Sequence, residues 1–261
     1  MKKLGIILTV MFFGSFISNG QNNRDSLFTT LGYSTKIASK YLNQSKTIYV
    51  HLPFKFDKDK EYPLIVLADF MAFKPLSSTT EIMAYNQTIP WCIVVCPVTI
   101  NAPDDYSPIF DVTSEKTNGG KTIEFYENEL LPFLQSKYKI SKKIFWGQSY
   151  SGMFSTFVML SKPDLFDGYF SDMPKLALIE NIINSDTIFK KFGDKKVFYH
   201  LTESSLNEKD KPTITFLDKL KNEQINNFKW HYLEQSDSIF IAHILTNYIY
   251  GLDSFFKEMK E

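Results

Sequence analysis

The sequence predicts an α/β fold, a mostly parallel central sheet with helices on both faces, and three observations carry that expectation. Short apolar runs typical of buried strands recur along the chain, and segments with helical periodicity separate most of them. One run, Ile144-Phe145-Trp146, passes through Gly147-Gln148-Ser149-Tyr150-Ser151-Gly152 directly into the helix-like Met153 to Leu160. Strands that alternate with helices bury their apolar faces best in a parallel sheet covered on both sides.

Thr35 to Leu42 and Lys46 to Leu52 read as two strands joined through Asn43-Gln44-Ser45 and closed by Pro53. Buried strands are expected at Pro63 to Ala68, Cys92 to Pro97, Lys143 to Trp146, Gly168 to Phe170, Lys195 to Leu201 and Phe228 to Leu233. Helices are expected at Ser77 to Tyr85, Lys121 to Tyr138, Tyr150 to Ser161, Ala177 to Asn184, Pro212 to Glu223 and His243 to Met259. In the second of these Ile123, Tyr126, Leu130 and Leu134 recur at helical spacing, while Pro132 predicts a kink. Thr99 to Asn118 is polar, Asp-rich and irregular, and is expected to arch over the site. No internal repeat or dividing linker interrupts the chain.

The start, Met1-Lys2-Lys3 followed by apolar Leu4 to Ile17 and then Ser18-Asn19-Gly20, has the layout of a secretory signal peptide. Its apolar core is short for a membrane span, so residues 1–20 are expected to be removed and stable membrane insertion is not expected. Removing 20 of 261 residues leaves residues 21–261 as one domain with a full core, periplasmic or extracellular. The whole chain has 29 basic and 29 acidic residues, a balance that argues against nucleic acid as a partner. Cys92 and Cys96 lie in one strand-like run, ~13 Å apart, too far for a disulfide, and are read as buried free thiols.

A serine on a sharp turn from strand to helix holds its hydroxyl above the sheet edge, and the next backbone N–H points at the same reacting oxygen. Such a turn needs small residues around it because the backbones come close. Gly147 meets that need, whereas Ser151 stands where glycine is usual. The plainer alternative is a helix start capped by the Ser149 side chain.

Beyond this turn, Lys46 to Pro53, Glu61 to Asp69, Glu129-Leu130-Leu131-Pro132-Phe133 and Lys162 to Gly168 each resemble a segment of the putative esterase family of α/β-hydrolases. That family includes S-formylglutathione hydrolases, enterochelin-type esterases and feruloyl esterases. The resemblance implies an α/β-hydrolase fold, an acyl-enzyme formed on Ser149, and a small-molecule or carbohydrate-linked ester as substrate. It also implies that the backbone N–H groups of Phe70 and Tyr150 receive the oxyanion, such donors being worth ~3 kcal/mol each.

The chain departs from the family pattern in three places. Ser151 replaces glycine; Asp172-Met173-Pro174-Lys175 replaces a Ser-Pro-Ser segment, implying a different acyl pocket; and Asp237 stands at the expected position of the histidine. Four histidines remain as possible bases. His51 and His231 sit inside strands, and His200 precedes the expected acid in chain order. His243, near the start of the last helix, fits the order best. Glu203 lies where the family carries its acid, with Glu208 and Asp210 as alternatives in the same loop. The order Ser149, Glu203, His243 is then nucleophile, acid, base.

Other chemistry finds no support. Gly120-Lys121-Thr122 lacks the first glycine of a phosphate loop, and no histidine pair has metal spacing, so neither metal nor cofactor is expected. Two functions remain open at this stage: an exported serine esterase, and a non-catalytic binding protein on the same fold that has lost its catalytic histidine.

Overall fold

The computed structural model describes residues 31–106, 118–206, 208–236 and 239–260. The proposed signal segment, the centre of the 99–118 stretch and Asp237 lie outside them.

Eight strands form one sheet: β1 (Tyr33–Ser39), β2 (Gln44–His51), β3 (Glu61–Leu67), β4 (Ile93–Pro97), β5 (Lys139–Gln148), β6 (Gly168–Asp172), β7 (Val197–Ser204) and β8 (Phe228–Gln235). Their spatial order is β1-β2-β4-β3-β5-β6-β7-β8. β2 runs antiparallel to both β1 and β4, and every pairing from β4 through β3 to β8 is parallel. The mostly parallel sheet expected from the sequence is thus present.

The first hairpin turns earlier than the composition suggested. Ser39 pairs with Gln44, so the turn occupies residues 40–43 and Asn43 takes the left-handed conformation at φ 50°.

Successive side chains of each strand point to opposite faces, and this alternation builds two cores. On one face Leu64, Val66, Phe145, Tyr169 and Tyr199 pack with Met153, Phe154 and Val158 of α5 (Tyr150–Ser161) and with Phe216 and Leu220 of α7 (Lys211–Asn222). On the other, Ile65, Leu67, Ile144, Trp146, Phe170 and Phe198 pack with Leu76 and Met83 of α1 (Phe73–Tyr85) and with Tyr248, Leu252 and Phe255 of α8 (Phe240–Glu258). Each such buried side chain contributes about 1.5–3 kcal/mol relative to exposure. Both sheet faces are therefore covered by helices. Cys92 and Cys96 are buried free thiols, and burial raises both thiol pKa values.

The long helix expected over residues 121–138 divides. α3 (Gly119–Phe125) passes into one π turn (Tyr126–Leu130) before α4 (Leu131–Gln135), which carries Pro132 in its first turn. Pro132 has no N–H to give to the preceding turn, and the widened turn upstream absorbs that break. Residues 102–106 of the irregular stretch form a short helix, α2 (Ala102–Tyr106). The segment expected as a helix at Ala177 to Asn184 forms a 3₁₀ turn (Leu176–Ile179) and α6 (Glu180–Ile183).

Candidate active site

Ser149 stands between the last residue of β5 and the first of α5, with φ 55° and ψ −112°. A non-glycine residue pays for this conformation with strain of about 1–3 kcal/mol. Although Ser149 occupies the N-cap position, its side chain makes no capping hydrogen bond. The capping alternative is therefore not the geometry adopted.

The surrounding small residues explain how the turn is held. A Cβ on Gly147 would lie 2.2 Å from the Ser151 carbonyl oxygen, and one on Gly152 would lie 2.8 Å from the Asp172 carbonyl oxygen. Serine is tolerated at 151 because its hydroxyl folds back on Gln148: Oγ accepts from the Gln148 N–H at 2.8 Å and donates to its carbonyl at 2.9 Å. The close approach that demands glycine falls one residue later.

Ser149, Tyr150 and Phe70 border one cavity of about 210 Å³, together with Asp69, Thr99 and Ile100. Phe70 lies in the turn after β3, where the Asp69 carboxylate accepts the Met71 N–H at 2.8 Å and the Phe70 carbonyl accepts the Phe73 N–H at 3.2 Å. Tyr106 supports this turn by donating its hydroxyl to the Ala68 carbonyl at 2.7 Å. Neither the Phe70 nor the Tyr150 N–H is engaged by another described residue. Tyr150 opens α5, so its N–H also lies at the positive end of the helix dipole. The Lys175 ammonium sits 4.4 Å from the centre of the Tyr150 ring.

Beside the turn lies a buried polar cluster centred on Asp172, the last residue of β6. Its Oδ1 accepts from Thr202 Oγ1 at 2.6 Å and Asn247 Nδ2 at 2.7 Å, and its Oδ2 accepts from Gln148 Nε2 at 3.1 Å. His243 Nε2 lies 3.5 Å from the same Oδ1, and both side chains are 2% exposed. Asp172 escaped attention in the sequence, where its segment marked only an altered acyl pocket. The available signal was an acidic residue ending the strand that follows the helix begun after Ser149.

The other sequence-nominated residues are placed as follows. Glu203 is within β7, which runs past its expected end at Leu201, and it pairs in register with Glu234 of β8. Burial, with Asp210, Asp172 and Glu234 nearby, pushes its pKa up to about 7, which Lys209 partly opposes. Asp210 instead caps α7, accepting the Thr213 N–H at 2.9 Å, and Glu208 is exposed. His51 is structural: its ring meets Glu81 Oε2 at 2.8 Å and the Leu31 carbonyl at 2.7 Å. His200 is buried in the middle of β7 against Phe170, and desolvation lowers its pKa to about 3. His231 sits in β8 and is exposed. None of the four histidines hydrogen-bonds the Ser149 side chain.

Among the described residues, no cluster of three His, Cys, Asp or Glu side chains could hold a metal, and no helix is long and apolar enough to cross a membrane.

The sequence model of the family described as "Putative esterase" matches residues 39–212. No curated protein matches the chain. Among solved structures, an uncharacterised protein from Capnocytophaga ochracea is 21% identical with a TM-score of 0.73, over 88% of this chain and 65% of its own. An IroE-like serine hydrolase from Shewanella oneidensis is 19% identical with a TM-score of 0.71, over 88% of this chain and 81% of its own. The enterobactin esterase FES from Shigella flexneri is 13% identical with a TM-score of 0.64, over 88% of this chain and 60% of its own. The chain thus spans less than two thirds of the length of the first and third of these proteins, and at such identities the likeness is one of fold.

Proposed function

The chain belongs to the putative esterase family of α/β-hydrolases, and on that premise we propose that it is an exported serine esterase that cleaves a carboxylic ester through an acyl-enzyme on Ser149. In this reading the Ser149 hydroxyl attacks the ester carbonyl while His243 takes its proton, then returns that proton to the departing alcohol. Water repeats the sequence in reverse to release the acid. The backbone N–H groups of Phe70 and Tyr150 hold the oxyanion in both steps.

The observation that carries the reading is the strained and uncapped backbone of Ser149, at the edge of a cavity also bordered by the residues of two unengaged N–H groups. A merely structural helix start gains nothing from such strain. The cavity of about 210 Å³ suits a short acyl group, with the alcohol part extending outward. The base must come within hydrogen-bond reach of the serine, ~2.6–3.2 Å, a contact that often tightens only when substrate binds.

A fluorophosphonate probe tests the proposal, because it labels only an activated serine. Labelling of the wild type at Ser149, absent in Ser149→Ala, is the expected result. A folded wild type that stays unlabelled would overturn it in favour of a binding protein on the same fold.

A further inference from the structure

We infer that Asp172, at the end of β6, is the carboxylate that orients His243, and that Glu203 does not fill this role. The inference rests on the esterase reading for its catalytic meaning, while the pairing itself can be measured without turnover.

Sheet register puts Asp172 beside the nucleophile. β5 and β6 run parallel with Gln148 opposite Asp172, and the residue just past the end of β5, Ser149, gives its N–H to the Asp172 carbonyl at 2.9 Å. From the far side, α8 sends His243 and Asn247, one turn apart, to the same carboxylate oxygen. Donors from β5, β7 and α8 fix the carboxylate in one orientation. Among the described residues no lysine or arginine ion-pairs with Asp172, and His243 alone can supply a counter-charge. An imidazolium formed as Ser149 loses its proton would meet this buried carboxylate at the moment it needs one.

Glu203 offers less. Among the described residues no hydrogen bond fixes its side chain, and three further carboxylates lie around it. A carboxyl that burial and neighbouring carboxylates push toward its neutral form is a poor partner for a developing cation.

The geometry also selects a tautomer. Nε2 is the ring atom that faces Asp172 and has no hydrogen-bond partner among the described residues, so a small ring movement would make it the donor. Nδ1 is then left to accept the serine proton.

The test is long-range ¹H–¹⁵N correlation spectroscopy of protein labelled with ¹⁵N-histidine, with His243 assigned through His243→Gln. The expected result in the wild type above the pH of imidazole protonation is the Nε2–H tautomer, its N–H protected from exchange in the wild type and exposed in Asp172→Asn. On nitrophenyl acetate, Asp172→Asn should lower kcat at least ~100-fold with KM little changed, and Glu203→Gln should stay within about threefold. An Nδ1–H tautomer in the wild type, a protected N–H that survives in Asp172→Asn, or loss of kcat in Glu203→Gln instead would each overturn the inference. If Asp172→Asn fails to fold, exchange at the wild-type Nε2–H decides the matter: an unpaired imidazole also prefers this tautomer, so a freely exchanging Nε2–H would overturn the inference and a protected one supports it. Absent fluorophosphonate labelling with the Nε2–H tautomer intact would remove the esterase reading and leave the pair standing.

Discussion

The Ser149 N–H donates to the Asp172 carbonyl at 2.9 Å, which ties the strained turn after β5 to the end of β6. One residue therefore serves the site twice: its backbone holds the serine and its carboxylate meets His243. Perturbations of the turn and of the polar cluster should accordingly be coupled, since both act on the same strand end.

Gly147→Ala places a methyl group 2.2 Å from the Ser151 carbonyl oxygen, backbone that cannot swing aside. The expected outcome is a loss of about 1–3 kcal/mol in urea unfolding, together with loss of fluorophosphonate labelling as the turn shifts. Unchanged stability would show that the turn is softer than its packing implies.

Ser149→Ala should remove turnover of nitrophenyl acetate by on the order of 10⁴ or more while leaving the circular dichroism spectrum intact. Alanine keeps the strain of φ 55°, and glycine relieves it. Ser149→Gly is thus expected to be more stable than Ser149→Ala by roughly 1 kcal/mol, read from paired urea melts.

The export reading predicts a mature protein that begins at or near Gln21 and is found outside the cytoplasm. Intact-mass measurement of the exported form checks this. Recovery of a chain that still carries Met1 to Gly20 would contradict it.

His200 sets the direction of an acid dependence. Burial lowers its folded pKa to about 3, below the ordinary value of 6.5, so the unfolded chain takes up this proton first as pH falls. Its contribution is fully present above pH 6.5 and is lost between 6.5 and about 3, by up to about 1.4 kcal/mol per pH unit. Glu203 acts in the opposite sense, because its raised pKa makes its contribution full below its ordinary value of 4.5 and lost as pH rises through about 7. Comparing unfolding free energies of the wild type and His200→Leu across pH 4–8 isolates the histidine. The difference should shift toward the variant as pH falls; a difference independent of pH would show that His200 is not buried as a neutral ring.

Much of this protein was legible in its residue order. Alternating strands and helices, the apolar faces of Leu64 to Leu67, and the serine turn after Trp146 are local patterns, set by the two-residue period of strands and the steric needs of one tight turn. Some local details still shifted. Glu203 proved to lie inside β7 because pairing with β8 extends the strand past Leu201, and the glycine the turn requires proved to be Gly152 because Ser151 satisfies Gln148 with its hydroxyl.

The partners of the candidate site were decided by the tertiary structure alone. Asp172 and His243 are 71 positions apart in the sequence, and nothing in either local segment announces the other. They meet because β6 pairs beside β5 while α8 crosses the same sheet face to bury Tyr248, Leu252 and Phe255. That docking is driven by apolar burial, which has no direction of its own, and it places the two polar side chains 3.5 Å apart as a consequence of the packed sheet and helix.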